Sequence, residues 1–240
     1  MARIEPLNKQ SHGNVKIKPS TDVKDIVTQS ILPLVVGEFS SAAIEFPICF
    51  IKVPESDEFS AVALLGLEKG ENLFVRDEKW DAAYMPARYT HKPFGLIKAG
   101  EDDQQGFQIA IDMDSELVSE EDGRELFNED GSESEFLEQQ KKAMGSYLEQ
   151  EQLTKAFIKE LQTRELLVAK KISLTVNGRK IDIDGINIID EEKLNAVSDE
   201  DFLDMRKRGM LPAIYTHMIS MRQVSGLIKR KTEREVAANA

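Results

Sequence analysis

The sequence predicts an α+β fold: an N-terminal half built on a mainly antiparallel sheet with short helices, an acidic connector, and a C-terminal helical half with one β-hairpin. Three observations predict it. Residues 48–53 and 59–67 are near-continuous apolar runs of strand length, joined by the polar turn 54–57. Residues 135–167 carry apolar side chains at helical spacing. Asn177-Gly178 stands between two alternating runs, and a two-residue type I′ hairpin needs two residues that tolerate positive φ.

Taken in order, residues 15–18 alternate apolar and basic side chains and read as a short edge strand. The chain then runs extended around Pro33 and turns into a short helix. Phe39, Ala42, Ala43 and Phe46 share one face of that helix, and Pro47 stops it. The unbroken hydrophobicity of 48–53 and 59–67 predicts a sheet covered on both faces. Residues 72–75 read as a further short strand. Trp80, Tyr84, Tyr89 and Phe94 follow at a spacing suited to an irregular segment packed on the sheet. Residues 95–98 and 107–112 read as an antiparallel pair across the polar connector 99–106. Residues 115–134 form a loop or short hairpin anchored by Leu126 and Phe127.

In the helix over 135–167, Leu137, Met144, Leu148, Phe157, Ile158 and Leu161 keep the 3.6-residue period, while Gly145 interrupts an otherwise strong helical pattern. Residues 172–176 and 179–183 are the hairpin strands, and 186–189 extends the second. Asp190 and Ser198 stand as N-caps of helices over 191–196 and 200–207, and Gly209 ends the latter. Residues 211–228 form a last amphipathic helix or helix pair. The chain reads as one domain, 1–240, with sub-lobes at about 1–112 and 136–232 joined by the acidic connector 113–135.

A chain of 240 residues can bury roughly 70–75% of its unfolded surface, enough for a substantial core. Its net charge of −12 is local. From Asp112 to Glu135 there are eleven acidic residues and one basic residue, Arg124, which leaves 30 basic and 32 acidic residues elsewhere. Such a segment repels phosphate backbones, and no aromatic series accompanies the basic stretch 204–235 apart from Tyr215. That stretch reads as a solvated helix end, and nucleic acid is not expected as a partner.

The first ten residues lack an uninterrupted apolar core and a small-residue cleavage site, and the longest apolar run, 61–65, is far too short to cross a bilayer. No membrane insertion is expected. The expected compartment is the cytoplasm, with secretion without a cleaved signal as the one open route outward. Cys49 is the only cysteine, so no intrachain disulfide can form. It lies in an apolar strand, where a buried thiol is favoured over a nucleophile.

No catalytic residues, metal ligands or cofactors are expected. His12 and His91 stand alone in loops, and no histidine has metal-ligand spacing. His217 and Ser220 lie three apart on one helix face, but a Ser/His pair also needs an orienting carboxylate and an oxyanion site. A packed histidine bonded to backbone is favoured there. Asp112, Asp114 and Glu116 match the first alternating ligands of a calcium loop, yet Leu117 stands where the loop needs glycine. Gly66, Gly70 and Gly95 form no phosphate-binding pattern and read as turn-formers. Arg88 beside Tyr84 and Tyr89 could hold a carboxylate bidentately or stack on a ring, and stacking is favoured. Candidate ligand-binding residues are Trp80, Tyr84, Arg88 and His217.

Those residues also carry a resemblance. Gly70-Glu-Asn-Leu-Phe-Val75, Trp80, Tyr84-x-Pro86, Arg88 and Pro93-Phe94 resemble the SapC family of bacterial proteins. Pro6-Leu7-Asn8 with His12, Glu38-Phe39 through Phe46-Pro47, Phe127-Asn-Glu-Asp-Gly131, Gly185 with Asp190-Glu191, and Ile214-Tyr215-x-His217 with Ser220 fit it as well. The resemblance runs from about Pro6 to Leu227. It implies proteins of about this length without established catalytic residues, named from a locus for a bacterial surface layer. It also implies an accessory role near outer-membrane receptors and flavin-dependent halogenase-like or cupin-like proteins.

The leading expectation is therefore a binding or accessory protein with a protein partner, associated with surface-layer biogenesis or outer-membrane uptake. One alternative is a binder of a small carboxylate or peptide, or an enzyme, with its pocket near Trp80, Tyr84, Arg88 and His217. A second is a structural surface-layer protein.

Overall fold

The structure, a computed structural model, describes residues 3–19, 23–98 and 106–238. The fold is α+β, and every strand pairing among the described residues is antiparallel. The chain forms two compact units, one from residues 1–21 with 87–149 and the other from 22–86 with 150–240. The acidic segment 113–135 falls within the first. Among the described residues no helix is long and apolar enough to cross a membrane.

In the first unit, Phe107–Asp112 lies between Ile4–Pro6 and Phe94–Lys98, with Phe94 opposite Ile111 and Lys98 opposite Phe107. This is the pairing expected for 95–98 and 107–112; most of its connector, 99–105, lies outside the described residues. Lys16–Ile17 is not an edge strand as its alternation suggested. It lies between Val118–Ser119 and Arg124–Glu125, which gives the expected loop 115–134 two short strands. Burial is the reason: Val15 and Ile17 enter a core with Phe94, Ile111, Leu126, Leu137 and Met144, and covering them brings acidic-segment backbone along both sides. His12 is not in a loop either. It ends the short helix Lys9–His12, capped by Asn8, and is fully buried with its ring nitrogen 3.0 Å from the Asn8 carbonyl.

Two acids of the Asp112–Glu116 loop accept backbone amides. Asp112 accepts from the Asp114 amide at 3.1 Å, and Asp114 accepts from the Arg3 amide at 3.0 Å. The helix Glu135–Thr163 runs through Gly145 without a break; residues 135–149 belong to the first unit and 150–163 to the second.

The second unit is built on a five-stranded sheet in the order Leu167–Val176, Arg179–Ile189, Ile48–Lys52, Phe59–Leu64, Ile31–Pro33. Ile48, Cys49, Phe50, Ala61, Val62 and Ala63 are all buried, as their continuous hydrophobicity requires. Asn177 at φ 48° and Gly178 at φ 79° make the type I′ turn. The hairpin then joins the N-terminal strands through Ile186 opposite Ile51 and Asn187 opposite Phe50. A bulge between Lys170 and Ile172 shifts its register. The short helix Phe39–Ala42 follows a 3₁₀ turn over Val36–Glu38, and the Phe39 ring meets Phe157 edge-on at 6.1 Å.

Residues 72–75 do not form the expected strand, which is confined to Val75–Arg76. Asn72 is buried, and its side chain accepts the Phe74 amide at 2.9 Å while donating to the Ile26 carbonyl at 2.8 Å. That local bond competes with a sheet ladder and curls the chain. Downstream, Asp190 accepts the Lys193 amide at 2.9 Å and Ser198 the Asp201 amide at 3.1 Å, so both cap helices. The last segment is a helix pair, Leu211–Ser220 and Val224–Ala238, joined by the 3₁₀ turn Met221–Gln223.

The second of these helices extends past residue 228 because its cations are anchored. Lys231 binds Glu71 at 2.5 Å and Glu68 at 2.8 Å, and Arg234 donates to the Asn72 and Val75 carbonyls at 2.9 and 2.7 Å. The basic stretch is thus not merely a solvated face. Replacing Lys231 by Met is expected to cost about 2 kcal/mol in urea denaturation, because Glu71 would be left part-buried without its cation. An unchanged midpoint would contradict the anchoring role.

Candidate functional site

Of the four candidate ligand-binding residues, Trp80, Tyr84 and His217 belong to the second unit and Arg88 to the first. Trp80 and Tyr84 are together in the second unit. Trp80 pairs with Val75 across the two-residue strands Val75–Arg76 and Lys79–Trp80, and its ring lies 6.0 Å from both Phe46 and Phe74. Its indole N–H donates to the Tyr84 carbonyl at 2.8 Å, which fixes the turn between them. The Tyr84 hydroxyl donates to Glu38 at 2.5 Å. Glu38 is only 7% exposed, and its other oxygen accepts the Val35 amide at 2.8 Å. A carboxylate in such a position requires donors, and Tyr84 and Val35 supply two.

Beside this cluster, Arg230 lies over the Phe74 ring at 4.3 Å and donates to the Asp81 carboxylate and carbonyl at 2.8 and 2.9 Å. A guanidinium stacked on an aromatic ring therefore exists in this unit, supplied by Arg230. Arg88 belongs to the first unit, on the short helix Ala87–Thr90, with its side chain exposed. The neighbouring Tyr89 ring takes the Lys92 ammonium at 4.7 Å.

His217 lies in the second unit but in another ring cluster, 5.1 Å from Phe50. It is fully buried on the inner face of Leu211–Ser220, and its Nε2 accepts the Ile189 amide at 3.0 Å. This assigns the neutral ring's proton to Nδ1. Burial pulls its pKa down to about 4, against a smaller opposing effect of the Ile48 backbone. Ser220 does not face the ring's Nε2 as a nucleophile would. Its hydroxyl donates to the His217 carbonyl at 2.6 Å and accepts the Ile48 amide at 3.0 Å. Together the two side chains fasten this helix to two adjacent strands. Cys49 is buried in one of those strands, and desolvation pushes its thiol up to about 12, which leaves it protonated and unreactive at neutral pH.

Sequence reading did not identify Glu38 as the partner of Tyr84, nor Arg230 as the stacked cation. An acid set among Val35, Val36 and Phe39 was the available signal for Glu38. Arg230 gave none, because spacing along a helix does not say which ring it will meet.

No curated protein and no solved structure matches the chain. A family model described as SapC matches residues 7–227, a span that includes the Trp80–Tyr84 cluster and the His217–Ser220 fastening. With nearly its whole length matched by that model, the chain belongs to the SapC family.

Proposed function

We propose that this protein is a non-catalytic binding protein, an accessory factor in surface-layer biogenesis or outer-membrane uptake, that engages a protein partner. One observation carries the reading: Leu211–Ser220 buries His217 and Ser220 on one face and exposes Tyr215 and Ile219 on the other. His217 and Ser220, the pair that could have served as base and nucleophile, are fully buried and bonded to sheet backbone. On the opposite face Tyr215 is 44% and Ile219 64% exposed, four residues apart and hence neighbours. Ile44 is exposed too, and its carbonyl accepts from Gln223, just beyond the helix end, at 2.7 Å. Exposed aromatic and aliphatic side chains grouped on a rigid element are what a protein interface uses as anchors. Family membership supports the envelope setting, and the helix supports the mode of action.

The test is affinity capture from an envelope fraction with the wild-type chain and with a Tyr215→Ser, Ile219→Asp double variant. The wild type is expected to retain a specific envelope protein, and the variant to lose it by about tenfold or more, with an unchanged thermal midpoint. A wild-type chain that stays monomeric and retains no specific partner would contradict the proposal, as would a variant that retains the partner equally well.

A further inference from the structure

We propose that the segment docking on the exposed face of Leu211–Ser220 is an acidic amphipathic helix, with its apolar seam along Tyr215 and Ile219 and a carboxylate against Arg222. The inference rests on the partner reading above and adds the chemistry of the segment that docks. None of the ten residues of this helix is Asp, Glu, Lys or Arg. A helix without a charged face belongs between two covering layers. The inner side has its layer, since Ile214, His217 and Ser220 are buried. The outer side has none among the described residues: Tyr215 and Ile219 are exposed, and Met218 is half-buried.

Arg222 closes this outer stripe. The 3₁₀ turn Met221–Gln223 keeps right-handed helical backbone from Ser220 to Val224, so side chains three apart stay in line and Arg222 follows Ile219. Tyr215, Met218, Ile219 and Arg222 thus stand at i, i+3, i+4 and i+7, the spacing one helix presents to another lying along it. The Arg222 carbonyl accepts the Ser225 hydroxyl at 2.8 Å, but its guanidinium is exposed and makes no hydrogen bond or ion pair among the described residues. Residues 211–223 contain no Asp or Glu, so the stripe offers a partner one cation and no anion.

Those charges choose the occupant. A guanidinium at the end of an apolar stripe is best met by a carboxylate, which it can bind through two parallel hydrogen bonds. A second copy of the chain fits less well, because two such stripes packed together supply no carboxylate from either side. An anionic membrane surface calls for several Lys and Arg around the apolar face, and the net charge of −12 opposes its approach.

The experiment measures fluorescence anisotropy at physiological ionic strength, where exposed charges more than about 8 Å apart are largely screened. The probes are a labelled helical peptide with leucines at i, i+3, i+4 and i+7 flanked by glutamates, and its twin with glutamine at every glutamate. Wild type should bind the glutamate peptide about threefold more tightly than the twin. Arg222→Gln should bind the two alike, and Ile219→Asp should weaken both by about tenfold or more. No binding of the glutamate peptide to wild type, or equal binding to Ile219→Asp, would overturn the docking face. Equal wild-type affinities, or a preference that survives in Arg222→Gln, would overturn the acidic partner. A wild-type dimer, or adsorption to phosphatidylglycerol vesicles, that Ile219→Asp abolishes would give the face to a second copy or to lipid and overturn it as well. Envelope capture is a separate readout. Peptide binding without a captured protein removes the envelope partner alone, and a captured protein without a glutamate preference removes only the acidic helix.

Discussion

Gly66→Ala is expected to destabilise the second unit by about 3 kcal/mol, a loss that denaturant unfolding reads directly as a lower midpoint at constant slope. The cause is a backbone collision. A Cβ at residue 66 would lie 2.2 Å from the Glu71 carbonyl oxygen and 2.9 Å from its carbon. The loop has little room to yield. Leu65 and Gly66 donate to the Ser30 carbonyl at 2.8 and 3.2 Å, Leu67 donates to the Glu71 carboxylate at 3.1 Å, and Leu73 returns to the Leu65 carbonyl at 2.8 Å. The other Glu71 oxygen holds Lys231. Moving Glu71 away from a new methyl group would therefore loosen both the loop closure and the contact with the last helix. A change below about 0.5 kcal/mol, the scale of an ordinary surface substitution, would show that the close approach is not a constraint.

Acid is expected to destabilise the same unit through His217. The folded ring titrates near 4, while the same group in an unfolded chain titrates near 6.5. As pH falls between these values, the unfolded chain takes up a proton that the folded chain does not. Stability due to this group is therefore complete above 6.5 and is lost as pH falls toward 4, by about 3 kcal/mol in all. The buried ring is the physical source: charging it would remove the Nε2 acceptor used by the Ile189 amide and place an unsolvated cation beside Phe50. The check is unfolding free energy at pH 7 and pH 4.5 for wild type and His217→Gln. The wild type should lose about 2–3 kcal/mol more than the variant over that interval. Parallel losses would place the acid sensitivity elsewhere.

The parts of the fold that were legible in the sequence are those written in local chemistry. Asn177-Gly178 specifies its turn through backbone conformation alone, and Asp190 and Ser198 cap their helices with their own side-chain oxygens. The buried central strands announced themselves by the absence of polar positions. What local patterns do not encode is which surface covers which. Lys16–Ile17 looked like an edge because its partners, Val118–Ser119 and Arg124–Glu125, lie about a hundred residues away in a segment whose composition reads as solvent-exposed loop. Asn72 looked like the start of a strand because periodicity ignores a side chain that bonds its own backbone.

The candidate site divides along the same line. Trp80 and Tyr84 are close in sequence and meet through a local turn. His217 was read as a packed histidine, and its backbone bond to Ile189 has that form. Arg88 is near Tyr84 in sequence but belongs to the other unit, a division that sequence proximity hides. In the second unit, Arg230 of the last helix stacks on the Phe74 ring, 6.0 Å from Trp80.

The central claim is that His217 is a fixture of the fold and not a base available for chemistry. The most direct measurement is an NMR titration of the three histidine rings, with ring-nitrogen shifts reporting tautomer and charge. His217 is expected to stay neutral, protonated on Nδ1, down to about pH 4 and to be unaffected by added ligands. A His217 ring that titrates near 6.5, or carries its proton on Nε2, would contradict the account.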